Sequence, residues 1–366
     1  MTSPTLPVLL GLVAVAVFVV LAAGYPHLRS RWAAVGARAG GLLVLNMVVL
    51  AMVGVVANDH FDFYVSWADL AGARAAVTVT HRGATARSAA SVRLASGLHA
   101  GTNFAPLPAP GQRIQDFTVT GARSGVTGQI TVLLPPGYST ATARRYPVIE
   151  ALHGFPGTTH SWLTGMNLQA SLDQAVASRT LRPSVVVLPQ INVPYGIDSE
   201  CVNGPTGSPQ METWLAQDVP QFLASHFAVD TSRSSWVVAG YSEGAWCSSM
   251  LGLRHPQVFG GAIVFSGAFT PEFFNGYRPF GPHVPPRYDL IRLARHTPPP
   301  LAMWIQASKK DGYAYPPTAH FLKVVRAPLS VTTNLLKTGG HREQLWAGEV
   351  PTALRWLGRS LPGFSP

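Results

Sequence analysis

Two uninterrupted apolar runs lead the chain, and a different rhythm follows them. Leu6 to Ala23 and Gly40 to Ala57 each hold 18 residues without a charged side chain, just enough for a helix to cross the hydrocarbon core of a bilayer. From Asn58 to Gly111 the sequence is rich in Ala, Arg, Ser and Gly and keeps no sustained period, which predicts a stalk or linker. Alternation of apolar and polar positions starts at Phe117-Thr118-Val119 and recurs at Gln129-Ile130-Thr131-Val132-Leu133-Leu134, the period of strands. Short apolar runs then occur at Val148 to Leu152, Ser184 to Leu188, Trp236 to Ala239, Gly261 to Phe265 and Leu301 to Gln306. Helical patterns alternate with them at Met211 to His226, Ala245 to His255, Pro317 to Arg326 and Glu349 to Leu361. That order predicts an α/β domain with a mostly parallel sheet and helices on both faces. The expected plan is therefore a two-span anchor over 1–57, a stalk over 58–111 and a catalytic domain over 112–366. The long Pro- and aromatic-rich connection from Phe273 to Pro300 is expected to be a lid or binding loop.

Charge orients this plan. Arg29, Arg31 and Arg38 stand between the spans with no acidic residue, so the positive-inside rule puts that loop in the cytoplasm. The chain is then a multi-pass protein of the cell membrane whose main domain is extracytoplasmic. A cleaved signal peptide is the rival reading of the first run, but Met1 to Thr5 offers no basic n-region. The net charge of +10 is spread along the chain, which gives no reason to expect nucleic acid. Such a surface beside a bilayer suits anionic lipid or envelope polymer, or serves solubility alone. Cys201 and Cys247 are the only cysteines; outside the cytoplasm they are candidates for one disulfide, with two buried thiols as the alternative. Oligomeric state leaves no signature.

The chemistry centres on Gly240-Tyr241-Ser242-Glu243-Gly244, which joins the apolar run Trp236 to Ala239 to the small-residue helix that follows. A serine on a tight strand-to-helix turn between glycines is a nucleophile elbow, and the helix amino end favours the negative charge of acyl transfer. A serine nucleophile needs a base and a residue to orient it, in the order serine, acid, histidine. Between Asp289 and His341 the only carboxylate is Asp311, just past the run Leu301 to Gln306, and His341 follows Gly339-Gly340. His341 is preferred as base to His320, which falls within a helical pattern. The loop His153-Gly154-Phe155-Pro156-Gly157 follows another strand. It suggests an oxyanion hole made by the backbone N–H groups of Phe155 and Glu243, with His153 organising the loop. Glu212, at a helix start, reads as structural.

On Val132-Leu133-Leu134-Pro135-Pro136-Gly137-Tyr138, Leu152-His153-Gly154, Glu212-Thr213-Trp214-Leu215, the elbow, Leu253-Arg254-His255-Pro256 and Gly339-Gly340-His341, the chain resembles an esterase branch of the α/β-hydrolases. That branch contains S-formylglutathione hydrolase, feruloyl esterases and secreted mycolyltransferases. The resemblance spans about Gln112 to Leu361. It implies the α/β-hydrolase fold, a serine esterase mechanism on an acyl ester, and no metal or cofactor. Two departures stand out. Glu243 occupies a place where many members carry methionine, and the helix Pro317 to Arg326 lacks the carboxylate that mycolyltransferases use there. Three readings remain open at this stage. The first is an esterase acting on an acyl ester of envelope lipid or glycolipid. The second is an acyltransferase moving the acyl group to a sugar hydroxyl. The third is a non-catalytic binding module on the same fold.

Overall fold

The apolar runs fold as helices Thr5–Gly24 and Arg31–Phe61 in the computed structural model of the chain. It describes residues 5–24, 31–73, 75–102, 104–106, 112–141, 143–274 and 276–366. The segment carrying Arg29 and the 107–111 stretch lie outside the described residues. Both helices are long and apolar enough to cross a membrane. Their apolar side chains stay largely exposed, as in Leu12, Phe18, Leu43 and Leu50.

The described residues divide into two compact units, one running to Ala75 with Thr338–Arg342 added and the other comprising Ala76–Lys337 and Glu343–Pro366. In the first unit the end of the second helix is closed by Asn58. Its side chain accepts from Tyr64 N–H at 2.8 Å and donates to Tyr64 O at 2.9 Å. The 338–342 segment is held there by Arg342. Its guanidinium forks onto Asp69 at 2.9 and 2.6 Å and lies 4.5 Å over the Tyr64 ring. The His341 N–H donates to Asp62 O at 2.8 Å.

The second unit is built on nine strands among the described residues: β1 Val77–Gly83, β2 Ile114–Thr120, β3 Thr127–Leu133, β4 Val148–Leu152, β5 Val185–Pro189, β6 Trp236–Tyr241, β7 Gly261–Phe265, β8 Ala302–Ser308 and β9 Ser330–Leu336. They form one sheet in the order β1-β9-β8-β7-β6-β4-β5-β3-β2. Strands from β5 across to β9 are parallel; β1 pairs antiparallel with β9 at one edge, and at the other β3 pairs antiparallel with β5 and β2 antiparallel with β3. The central strands are buried on both faces and mostly apolar, with Glu150 of β4 and Gln306 of β8 among the buried polar exceptions. Val148 and Leu152 of β4 enter one core with Trp214, Leu223 and Met250. Ile149 and Ala151 enter the opposite core with Leu172, Trp346 and Leu357.

The expected stalk is not one. Residues 77–83 form edge strand β1, paired antiparallel with β9, and the helix Ala86–Ser91 buries Ala89 and Ala90. Val77-Thr78-Val79-Thr80 has the alternation of a strand, and the small residues that suggested an extension are what lets that helix pack closely. The sheet unit therefore begins near Ala76, well before the expected start at 112. The Phe273–Pro300 connection is also not bare loop, since Leu290–His296 is a helix capped by the Asp289 side chain.

Candidate active site

Strand β6 delivers Ser242 at the carboxyl edge of the sheet. Ser242 has φ 55° and ψ −122°, a left-handed backbone that costs about 1–3 kcal/mol for a non-glycine residue and persists only where the surroundings enforce it. Ser242 N–H donates to Phe265 O at 3.1 Å, and Ser242 O receives the N–H groups of Ala245 and Trp246. The flanking glycines are required by space. A Cβ on Gly240 would lie 1.8 Å from Gly244 O, and one on Gly244 would lie 2.3 Å from Leu152 O. Glu243 opens the helix Glu243–Arg254, so its N–H belongs to the first turn, where no intrahelical acceptor exists. Ser242 itself is half-buried rather than sealed.

The loop after β4 comes up beside the elbow. A Cβ on Gly154 would sit 3.2 Å from Ser242 Cβ and 2.9 Å from the Tyr241 ring, so the main chain of this loop passes against the serine. His153 is buried and fixes the loop from within. Its Nδ1 is 2.8 Å from Gly154 O, and Ile191 N–H points at its Nε2 at 3.4 Å. Burial pulls the imidazole down to about 4. It is therefore neutral near pH 7, with Nδ1 as donor and Nε2 as acceptor, which suits an organising role.

Asp311 lies on the loop after β8 and is 1% exposed. One carboxylate oxygen accepts the N–H groups of Tyr313 and Ala314 at 3.1 and 2.9 Å, an arrangement that fixes its orientation. His341 follows β9 in the chain and belongs to the first unit, with the backbone bond to Asp62 given above. Ser242, Asp311, Phe155 and Glu243 all belong to the second unit. Cys201 and Cys247 are joined as a disulfide with Cα atoms 5.6 Å apart. The bridge ties the elbow helix to the loop after β5, an attachment reinforced by Trp246 Nε1 donating to Glu200 O at 2.9 Å.

That loop brings residues that sequence reasoning did not single out. Asp198 and Glu200 are buried beside Glu243, whose own side chain is 5% exposed. Asn192 Nδ2 donates to Glu243 Oε2 at 2.9 Å. Burial, and then the Asp198 charge, push the Glu200 and Glu243 carboxyls well above the usual carboxylate range, and burial raises Asp198 as well. The half-buried Tyr313 hydroxyl is pushed up by burial and by these same carboxylates. The only sequence trace of the cluster is the pair of acids flanking Ser199, just before Cys201. Glu212 is different. It accepts from Arg254 at 2.8 Å, His255 at 2.7 Å and Tyr288 at 2.8 Å, a structural junction as expected. Among the described residues no group of three or more His, Cys, Asp or Glu is placed to hold a metal ion.

Residues 123–355 match the model of a family described as "Putative esterase". An uncharacterised protein of Corynebacterium glutamicum is 23% identical over 240 residues, which are 62% of this chain and 56% of that protein. An endo-1,4-beta-xylanase/feruloyl esterase of Xylanibacter ruminicola is 25% identical over 166 residues, covering 43% of this chain and 22% of that protein. The chain thus spans about half or less of the length of these curated relatives. Among solved structures, S-formylglutathione hydrolase from Agrobacterium tumefaciens superposes with a TM-score of 0.55 at 16% identity, over 71% of this chain and 100% of that one. At that identity the likeness speaks to the fold, which is the α/β-hydrolase arrangement.

Proposed function

The chain belongs to that esterase family, and from this premise we propose that it is a serine carboxylic-ester hydrolase with Ser242 as nucleophile. His341 is the general base, Asp311 orients it, and the N–H groups of Phe155 and Glu243 hold the oxyanion. The observation that carries the reading is the backbone of Ser242. A half-buried serine held at φ 55° between two glycines, with the Gly154 main chain against it, has a shape whose cost an ordinary turn does not need.

In the first half of the reaction Ser242 Oγ bonds to the ester carbonyl carbon while its proton passes to His341. The carbonyl electron pair moves onto oxygen, where two N–H donors stabilise it; one such donor is worth roughly 10²–10³ in rate. Collapse breaks the bond to the alcohol, which leaves with the proton from His341. Water then attacks the acyl-Ser242 ester, gives a proton to His341, and the acid departs as that proton returns to Ser242.

The two apolar helices support membrane anchorage, and the arginines between them support an extracytoplasmic sheet unit. An acyl ester of envelope lipid or glycolipid is the substrate class that this location favours. The reading is tested with intact cells given a trisulfonated, membrane-impermeant fluorogenic ester. Cells producing the wild-type chain are expected to hydrolyse it and cells producing Ser242→Ala are not. Hydrolysis that appears only after lysis counts against the orientation, and equal hydrolysis by both strains counts against Ser242.

A further inference from the structure

His341 is carried by the unit that also carries the two apolar helices, and the chain around it is held at three consecutive positions. Gly340 lies so close to the turn after the second helix that a Cβ there would collide with Asp62 O and Phe63 O. His341 donates its N–H to Asp62 O at 2.8 Å. Arg342 then donates to Phe63 O at 2.8 Å, forks onto Asp69 and covers the Tyr64 ring. The chain enters this clamp through Gly339 at φ 128°, a conformation that glycine adopts without strain. Two successive glycines give the segment little stiffness of its own, so its shape is set by what it packs against.

The receiving turn is itself firmly built. Asp62 has φ 52°, a left-handed conformation that Asp tolerates better than most residues, and in it the Asp62 carbonyl meets the His341 N–H. Asn58 holds Tyr64 through two hydrogen bonds, and the Ser66 side chain accepts from Asp69 N–H at 3.1 Å. Asp69 Oδ2 also accepts the Val65 N–H at 3.2 Å. The Arg342 and Asp69 side chains are only 12% and 4% exposed, so the pair is enclosed and little screened. A two-toothed guanidinium–carboxylate contact fixes geometry as well as supplying attraction. With the backbone held on both sides of His341, only side-chain torsions remain to place its imidazole.

We propose that Asp69 is a positioning residue for the general base. Through Arg342 it fixes the backbone at His341, so the turn that follows the second apolar helix belongs to the catalytic apparatus and is more than a tether. This rests on His341 being the base of the proposed esterase. Neither Asp69 nor Arg342 takes a proton or touches the ester in this account. Their contribution is to geometry, and a displacement of about 1 Å in a reacting group can cost about a hundredfold in rate.

The test uses purified full-length protein in detergent, with near-UV circular dichroism to confirm folding. Its readouts are kcat and KM for 4-methylumbelliferyl butyrate and the rate of fluorophosphonate labelling of Ser242. Asp69→Asn is expected to lower kcat and the labelling rate by about tenfold to a hundredfold with KM unchanged. Arg342→Lys keeps the charge but not the fork; it is expected to fall between that variant and the wild type, and it replaces Asp69→Asn if the latter is not recovered folded. A residue that acts only through His341 has nothing to act on once the imidazole is gone. In a His341→Ala background both substitutions are therefore expected to leave the already slow labelling where it is, whereas a general loosening of the site slows it again. Wild-type kcat in folded Asp69→Asn, or in Arg342→Lys where that is the variant recovered, overturns the proposal. So does a fall by the same factor in both backgrounds, or a rise in KM with kcat kept. His341→Ala that labels at the wild-type rate removes the base itself. Slow labelling there, beside an Asp69→Asn enzyme of normal rate, removes only the positioning role and leaves the esterase reading standing.

Discussion

Gly154 sets the distance between the loop after β4 and the elbow, and one methyl group there is a sensitive probe of the oxyanion assignment. A Cβ at this position would meet the Tyr241 ring at 2.9 Å and Ser242 Cβ at 3.2 Å, so the loop must move by tenths of an ångström. Donor placement matters on that scale. Gly154→Ala is expected to lower kcat for small esters by about tenfold to a hundredfold while shifting the melting temperature by only a few degrees; an unchanged kcat removes the Phe155 N–H from the mechanism. Ser242, Gly240 and Gly244 were legible in the sequence because an elbow is a local object in which five consecutive residues carry the geometry. Asp198 and Glu200 were not. Their meeting with Glu243 is tertiary, set by the loop after β5 and the Cys201–Cys247 bridge, and nothing in their spacing announces it.

Helix and loop elements around the site are joined at Glu212. Its carboxylate links the segment opening at Met211 to Arg254 and His255 at the far end of the elbow helix and to Tyr288. Burial alone would raise this group, but the His255 hydrogen bond and the Arg254 charge bring it down to about 2. Because the folded-state value lies below the unfolded one, the stabilisation is fully present above about pH 4.5 and is lost as pH falls toward 2. A depression of this size corresponds to about 3 kcal/mol. Denaturant midpoints of the wild-type chain are therefore expected to fall between pH 5 and 3, and Glu212→Gln, less stable at pH 7, is expected to show a flatter dependence there. A parallel decline in both proteins argues against Glu212 as the linkage. At this scale the sequence showed most strands of the parallel centre, since each is a continuous apolar run bounded by turns. It concealed β1, whose pairing with β9 spans 253 positions, as in the bond from Thr80 N–H to Thr333 Oγ1. An edge strand exposed on most of its residues carries only a faint alternation, and Ala-, Arg- and Ser-rich surroundings mask it.

For the whole molecule, composition was informative about the first unit and order about the second. The two apolar helices follow from uninterrupted hydrophobicity, which needs no tertiary context, whereas the inclusion of residues 338–342 in the first unit follows from Arg342 meeting Asp69 and has no sequence signature. The family match over residues 123–355 agrees with the esterase reading of the sheet unit. The central claim is that Ser242 is an activated nucleophile. It is tested most directly by treating purified, folded full-length protein with a fluorophosphonate and mapping the adduct by mass spectrometry. The account predicts one adduct per chain on Ser242, absent from Ser242→Ala and formed much more slowly in His341→Ala. Folded protein that carries no adduct on Ser242, or equal labelling of the wild type and Ser242→Ala, contradicts it.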